Sequence, residues 1–274
     1  GPRPIAAPLQ RAMQRSVVRA ASALIATTRR SQAALERVRD DAGSRACVTC
    51  IHNGFDPDDF SADLTPATRP DRSRVRLVYA GTLWNLTSAE PLVKAIRLLG
   101  ERAPAAASRL EVVFAGRRTP DQESWLRTMT GTPVRIVQLP YQDHQTVIGL
   151  VRSADALCAL LTDTPDAARV LPGKIFEYMA CDNPILAIAP RGELWEILER
   201  YPQSYQFLPS AIADIARCLE ALAVSCPRQL HDPPVTWDKT TFDRRHQAGQ
   251  LANVLDAVAD AANAAVRSAV ARYA

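Results

Sequence analysis

Apolar residues along the chain follow two different spacings, and these spacings predict the order of strands and helices. Short, mostly apolar stretches predict strands at Val75–Ala80, Leu110–Ala115, Val134–Leu139, Ala156–Leu161 and Pro184–Ile188. Between them, apolar residues three and four positions apart predict amphipathic helices such as Ser88–Arg102. Because strands and helices alternate, the sequence predicts an α/β fold, a Rossmann-like parallel sheet with helices on both faces.

The two ends of the chain predict a second, smaller set of elements. The first part reads as helix, strand, helix and strand over Leu9–Ala20, Ala23–Ala26, Gln32–Arg39 and Ala46–Ile51. A long last helix is predicted from Thr241 onwards, with inward-facing Leu251, Val254, Leu255 and Val258. The predicted divisions are 1–56 for a partial first domain, 57–73 for a polar linker, 74–230 for the main domain and 231–274 for the last helix.

Composition narrows the class of protein. The 274 residues are 47% hydrophobic and 23% charged with a net charge of +4, which is ordinary for a globular protein and suits an acidic ligand without indicating nucleic acid. No apolar run is long enough for a membrane span. Cys47 and Cys50 form a C-x-x-C within a predicted strand, without a second pair. We interpret them as buried free thiols, which fits a reducing cytoplasm.

No cluster of residues predicts a metal site. Asp56 and Asp58 spell Asp-x-Asp, but they stand among turn-forming residues, and the four histidines are far apart in sequence. The sequence also identifies no catalytic residue.

The stretch 171–188 carries the clearest candidate chemistry. Pro172 and Gly173 precede a predicted helix start, where free N–H groups and the helix dipole favour an anion. Lys174 stands in the first turn and shares a helix face with Glu177. Amide donors and a lysine suit a diphosphate, and one carboxylate suits a sugar diol. The sequence therefore predicts a nucleotide-sugar site.

This stretch resembles the donor half of retaining glycosyltransferases with the GT-B fold, the large family 4. The family has two glutamates eight residues apart, followed by Glu-Ala-Met-Ala-x-Gly-x-Pro-Val. Glu177-Tyr-Met-Ala180 and Pro184-Ile-Leu186 match the second half, whereas Arg169 stands in place of the first glutamate. His52-Asn-Gly-Phe-Asp56 is similar to the phrase that ends the family's acceptor domain.

The resemblance implies that several loops at the carboxyl edge of the sheet hold the donor, a UDP- or GDP-type sugar, with no separate cofactor. The expected donor-binding residues are Gly81, Thr82, Gly116, Arg117, Tyr141, Gly173, Lys174 and Glu177. Thr82 and Thr87 occupy places where the family usually has an arginine and a lysine. Arg117 is either a phosphate ligand or a surface residue, and Tyr141 either stacks on the base or packs within its loop.

The resemblance also sets the expected reaction and partners. It implies transfer of a hexosyl group to a glycan or lipid-linked acceptor, in polysaccharide biosynthesis, by a cytoplasmic protein with at most peripheral membrane contact. It covers the donor domain and only the end of the acceptor domain. Either an N-terminal domain is missing, or the chain is a half-enzyme completed by a partner subunit. A non-catalytic subunit that docks a partner protein is the alternative function.

Overall fold

The computed structural model describes residues 6–60, 71–225 and 237–270. Most of the predicted linker, 61–70, and the predicted division between 230 and 231 lie outside the described residues. By its internal contacts the chain divides into a small unit, residues 1–54 with 240–274, and a large unit, residues 55–239.

The strands and helices have the following bounds. The strands are β1 (Ala23–Ala26), β2 (Cys47–Cys50), β3 (Val75–Ala80), β4 (Leu110–Ala115), β5 (Arg135–Leu139), β6 (Ala156–Leu160), β7 (Ile185–Ile188) and β8 (Ser204–Phe207). The helices are α1 (Ala6–Ala20), α2 (Arg29–Ala42), α3 (Glu90–Arg102), α4 (Pro104–Ala107), α5 (Pro120–Arg127), α6 (His144–Arg152), α7 (Lys174–Ala180), α8 (Glu193–Leu198), α9 (Ile212–Ser225) and α10 (Arg244–Val270).

The small unit contains α1, α2 and α10 with a two-stranded parallel sheet of β1 and β2. The Thr28 hydroxyl accepts a hydrogen bond from Ser31 N at the start of α2, and Gly43 ends that helix at φ +66°. Both are the residue types that helix ends favour. Local residue types therefore set the two ends of α2.

The large unit is built on a six-stranded sheet in the order β5-β4-β3-β6-β7-β8, and every neighbouring pair is parallel. All residues of β3, β4, β6 and β7 are buried. These strands are almost entirely apolar because helices cover both faces of the sheet. The two charged residues within them, Arg76 and Glu111, pair with each other at 2.5 Å. The predicted α/β fold with a parallel Rossmann-like sheet is confirmed.

The main core lies on one face of this sheet. Leu77 and Phe114 on the strands pack with Leu92, Ile96 and Leu99 of α3, together with residues of α9. These side chains are at most 1% exposed. The stripe predicted for the helix at 88–102 is therefore the surface that α3 buries.

Three sequence predictions are corrected by the structure. The edge strand β8 was not predicted, because its residues are only half-buried and include no continuous apolar run. Leu251 and Leu255 of α10 are 40% and 59% exposed rather than inward-facing. Cys47 is an exposed thiol and Cys50 is a half-buried one, so neither is buried as predicted, although both are free.

Candidate functional site

The candidate site lies where the strand order of the large sheet reverses. From β3 the chain proceeds to β4 and β5 on one side, and it returns to β6, β7 and β8 on the other. The ladder between β3 and β6 is short, with pairs only at Leu77–Ala156 and Val78–Leu157. The strands therefore part before their carboxyl ends, and such a crevice is where ligands bind in open parallel sheets.

Two adjoining cavities open at this crevice. The first, the Tyr178 cavity, has a volume of about 200 Å³. The second, the Arg117 cavity, has a volume of about 210 Å³. Both cavities are lined by the end of β3, the loop after it and the start of α7, through the shared residues Ala80, Gly81, Thr82 and Lys174.

The structure brings most of the sequence-predicted residues together around these cavities. Besides the shared residues, Gly173 lines the Tyr178 cavity. Gly116, Arg117 and Tyr141 line the Arg117 cavity. Glu177 lines neither cavity. Its side chain is 11% exposed, and its Oε2 accepts a hydrogen bond from Lys174 Nζ at 2.6 Å.

The loops after β3 and β4 approach each other because Gly116 has no side chain. Gly116 has φ +135°, a conformation that residues other than glycine rarely adopt, and a Cβ there would lie 2.1 Å from Gly81 O. The same two loops are joined by hydrogen bonds from Leu83 N to Arg117 O (2.9 Å) and from Thr119 N to Leu83 O (3.1 Å). This close approach fixes the wall that the two cavities share.

The loop after β3 is held by hydroxyl groups that bond to its backbone. Tyr79 Oη and Thr87 Oγ1 both donate to Thr82 O, at 2.9 and 2.6 Å. Burial raises the pKa of Tyr79 to about 12, so the phenol stays protonated and keeps donating. Thr87 is one of the two threonines that stand where the family usually has an arginine or a lysine. Its hydroxyl holds the loop after β3 in place.

The two consecutive arginines after β4 have different surroundings. Arg118 Nη1 donates to the carbonyl oxygens of Gly116 and Leu139, at 3.1 and 2.8 Å, and so braces the backbone. The guanidinium of Arg117 lies 5.1 Å from the ring centre of Tyr141, and no carboxylate among the described residues pairs with it. Of the pair, Arg117 is the cation that the cavity presents.

Tyr178 connects α7 to the end of β3. Its hydroxyl accepts a hydrogen bond from Ala80 N at 2.8 Å and donates one to Ala80 O at 3.2 Å. The side chain is 2% exposed, and burial raises the pKa of the phenol well above its usual value. Strand β6 does not pair with β3 at Ala80, so the Tyr178 hydroxyl takes the place of the missing backbone partner. This contact holds α7 next to Gly81.

The turn after α7 differs from the family motif in a way that the structure explains. Asp182, in the place of the family's glycine, has φ +56°. Its carboxylate accepts hydrogen bonds from Lys239 Nζ and from Trp237 Nε1. Aspartate is among the few residues that tolerate this left-handed conformation, and its two partners hold it there.

The cavities also contain two side chains that the sequence interpretation did not assign to the site. His144, the first residue of α6, lines the Arg117 cavity. Its Nε2 lies 2.7 Å from Oδ2 of Asp59. Trp84 is 43% exposed and lines the Tyr178 cavity. No local pattern marks His144, because its partner is 85 residues away in sequence, whereas the position of Trp84 in a strand-end loop was a usable signal.

The described residues contain neither a group of side chains that could hold a metal ion nor a helix that could cross a membrane. Within 6–60, 71–225 and 237–270, no three histidine, cysteine, aspartate or glutamate side chains are grouped so that they could hold a metal ion. No helix in this part of the chain combines the length and apolar character needed to cross a membrane.

Comparisons with known proteins find similarity in structure only. No protein-family model matches the sequence, and no curated protein matches it. Anabaena HepE, solved with UDP and glucose, matches with a TM-score of 0.57 and 18% identity over 86% of this chain and 63% of its own. An α,α-trehalose-phosphate synthase (UDP-forming) from Burkholderia vietnamiensis matches with a TM-score of 0.63 and 14% identity, over 87% and 60% of the two chains. The GtfA/B complex matches with a TM-score of 0.61 and 14% identity, over 90% and 48%.

This chain therefore spans between about half and two thirds of the length of those structures. At these levels of identity the similarity establishes the fold alone. The chain has the Rossmann-like fold of GT-B proteins over the part that matches.

Proposed function

We propose that this chain is the donor-binding part of a glycosyltransferase that uses a nucleotide-diphosphate sugar. The observation that carries the proposal is the Arg117–Lys174 pair of cations in the wall of one cavity, at the carboxyl edge where the sheet order reverses. HepE, with a similar fold, was solved with UDP and glucose. The proposed donor is therefore a UDP- or GDP-type sugar.

In this proposal each cavity residue has a separate task. Arg117 and Lys174 bind the diphosphate and stabilise the negative charge that develops on it as the sugar leaves. Gly81 and Gly116 allow backbone N–H groups to approach the phosphates closely. Tyr141 stacks on the base. Glu177, which lies outside both cavities and is paired with Lys174, accepts hydrogen bonds from the two ribose hydroxyls.

The finer reaction follows the resemblance to family 4. The chain takes part in retaining transfer of a hexosyl group to a glycan or lipid-linked acceptor, in polysaccharide biosynthesis. It acts in the cytoplasm, with at most peripheral contact with the membrane. The free thiols of the described cysteines support a reducing compartment.

A second candidate function is a non-catalytic subunit that docks a partner protein. It is favoured by the small unit, whose parallel sheet has two strands within the described residues and whose α1 exposes Leu9, Met13 and Val17 by 60–64%. Parallel sheets normally have both faces covered. Either an N-terminal domain or a partner subunit is therefore proposed to complete this unit. The similar GtfA/B structure is a complex.

Calorimetric titration with UDP, GDP and ADP tests the donor site directly. One nucleotide is expected to bind, and Lys174→Met is expected to weaken it about tenfold to a hundredfold because a charge-assisted contact is lost. Lys94→Met is the matched control, because Lys94 also forms a 2.6 Å ion pair with a glutamate of its own helix and lies outside both cavities. Absence of binding by all three nucleotides at millimolar concentration would favour the docking subunit.

A further inference from the structure

His144 and Asp59 form an ion-pair geometry at the wall of the Arg117 cavity. His144 is the first residue of α6, and Asp59 lies in a one-turn 3-10 helix, Pro57–Phe60. The His144 side chain is 47% exposed, whereas that of Asp59 is 22% exposed. The imidazole therefore borders the cavity while a more buried carboxylate holds one of its nitrogens.

The charges around this imidazole are those of a site for an anion. Arg117 and Lys174 line the same cavity. The neighbouring carboxylate of Asp143 is occupied with the N–H and hydroxyl of Thr146, at 2.9 and 2.6 Å. Glu177 is occupied with Lys174. Among the described residues that line the Arg117 cavity, none is an aspartate or a glutamate.

We propose that His144 is a third cationic ligand for the donor diphosphate and that Asp59 positions it. This inference rests on the proposed function of the cavity. Because Nε2–H donates its hydrogen bond to Oδ2 of Asp59, Nδ1 is the ring nitrogen that remains to contact a ligand. In the imidazolium form Nδ1 donates a hydrogen bond to a phosphate oxygen, and the carboxylate of Asp59 stabilises that charged form.

The arrangement makes donor binding depend on pH in a defined direction. Histidine side chains gain a proton as the pH falls from about 8 to about 5. The diphosphate of a nucleotide sugar is a diester without an ionising group in that range, so the ligand keeps its charge. The other charged or titratable groups around the imidazole are Asp59, Asp143, Arg117, Lys174 and Tyr141. Histidine is the residue type among them whose ordinary pKa lies between about 5 and 8. Affinity is therefore expected to rise as the pH falls.

The test is a titration of the full 274-residue chain with UDP-glucose and with GDP-mannose at about pH 5.5 and about pH 8. For whichever sugar nucleotide binds, the wild type is expected to bind about threefold to tenfold more tightly at the lower pH. His144→Gln is expected to remove that difference. Asp59→Asn, which keeps a hydrogen-bond acceptor but loses the charge, is expected to reduce it. His246→Gln is the control, since His246 is exposed on α10 and bonds only to Gln250 among described contacts.

The outcomes separate this inference from the proposed function. If the wild type binds a sugar nucleotide and His144→Gln retains the full pH dependence, the role of His144 is wrong while the donor site stands. If the affinity of His144→Gln does not change with pH but Asp59→Asn binds as tightly as the wild type at both pH values, Asp59 is not a positioning residue. If the wild type binds neither sugar nucleotide, the donor site itself is wrong, and this inference falls with it. Thermal melts of each variant confirm that the binding changes are not due to unfolding.

Discussion

Lys174 and Glu177 are joined across one turn of α7, with 2.6 Å between Nζ and Oε2. The two partners differ in burial, because the lysine side chain is 33% exposed and the glutamate side chain 11%. The lysine side chain reaches a cavity and the solvent. The carboxylate is largely shielded from water, so its negative charge is stabilised mainly by the lysine. The pair is therefore unequal, and removal of the lysine should change the free energy of unfolding by a different amount than removal of the glutamate charge.

We predict that Lys174→Met destabilises the protein more than Glu177→Gln does. The first change leaves a largely buried carboxylate without its cation, which should lower the free energy of unfolding by about 1–3 kcal/mol. The second keeps a side-chain oxygen for the lysine to donate to, and should cost less than about 1 kcal/mol. Urea unfolding followed by circular dichroism measures both.

Lys94→Met provides the scale for these values. Lys94 forms an ion pair of the same length with Glu90, but both side chains are well exposed, at 49% and 38%. Exposed pairs contribute little, so this variant should lie within about 0.5 kcal/mol of the wild type. A Glu177→Gln cost equal to that of Lys174→Met would contradict the unequal pair.

Gly116→Ala should be among the most damaging single changes at the site. The added Cβ would meet the backbone oxygen of Gly81 at 2.1 Å, and backbone cannot move aside as a flexible side chain can. We expect a loss of roughly 3 kcal/mol or more in the free energy of unfolding, together with loss of nucleotide binding, because the shared cavity wall must open.

Gly131→Ala separates backbone strain from this collision. Gly131 also has a positive φ, +86°, but a Cβ there meets nothing within 4 Å. Its replacement should cost only the strain of a left-handed alanine, about 1–2 kcal/mol. Equal losses for the two glycines in a urea titration would show that the contact with Gly81 does not matter.

Tyr178→Phe should weaken both stability and binding, although the phenol carries out no chemistry in the proposed reaction. Without the hydroxyl, the buried N–H and carbonyl of Ala80 both lose a hydrogen-bond partner, which should cost about 1–3 kcal/mol. Because Ala80 precedes Gly81, the cavity edge should loosen and the affinity for the nucleotide should fall. Tyr141→Phe, at an exposed side chain, is the control for stability. It should be close to neutral in unfolding experiments.

The sequence was sufficient for the large sheet because β3, β4 and β6 are buried on both faces and so consist mostly of apolar residues. It was also sufficient for the clustering of Gly81, Gly116 and Lys174, since carboxyl ends of parallel strands meet at one edge. It could not supply contacts between distant residues. The bond between Tyr178 and Ala80 spans 98 residues, and that between His144 and Asp59 spans 85. No local spacing encodes such pairs.

The same limit applies to the half-buried parts of the chain. The strand β8 lies at the edge of the sheet, where only one side is paired, so its sequence does not need the apolar run of a central strand. Leu251 and Leu255 follow helical spacing, yet they are exposed on α10. Periodicity identifies an apolar face but not the surface that covers it.

The start of α6 should give the protein a component of stability that disappears in acid. Asp143 caps this helix, and the hydrogen bond from the Thr146 hydroxyl, followed by that from Thr146 N, lowers the pKa of its carboxyl below the usual value. The unfolded chain then takes up a proton at a higher pH than the folded chain does. The stabilising contribution is therefore complete above the ordinary pKa of aspartate and is lost as the pH falls through the lower pKa of the folded state.

Asp143→Ala should accordingly be less stable than the wild type near neutral pH, and the difference should shrink below about pH 4. Urea unfolding of both proteins between about pH 3 and pH 7 measures this trend. Asp143→Asn is the matched control, because asparagine caps helices about as well as aspartate but has no charge to lose. The difference in free energy of unfolding between Asp143→Asn and Asp143→Ala should not vary with pH. A wild-type advantage over alanine that persisted undiminished at about pH 3 would mean that the cap does not depend on the ionised carboxylate.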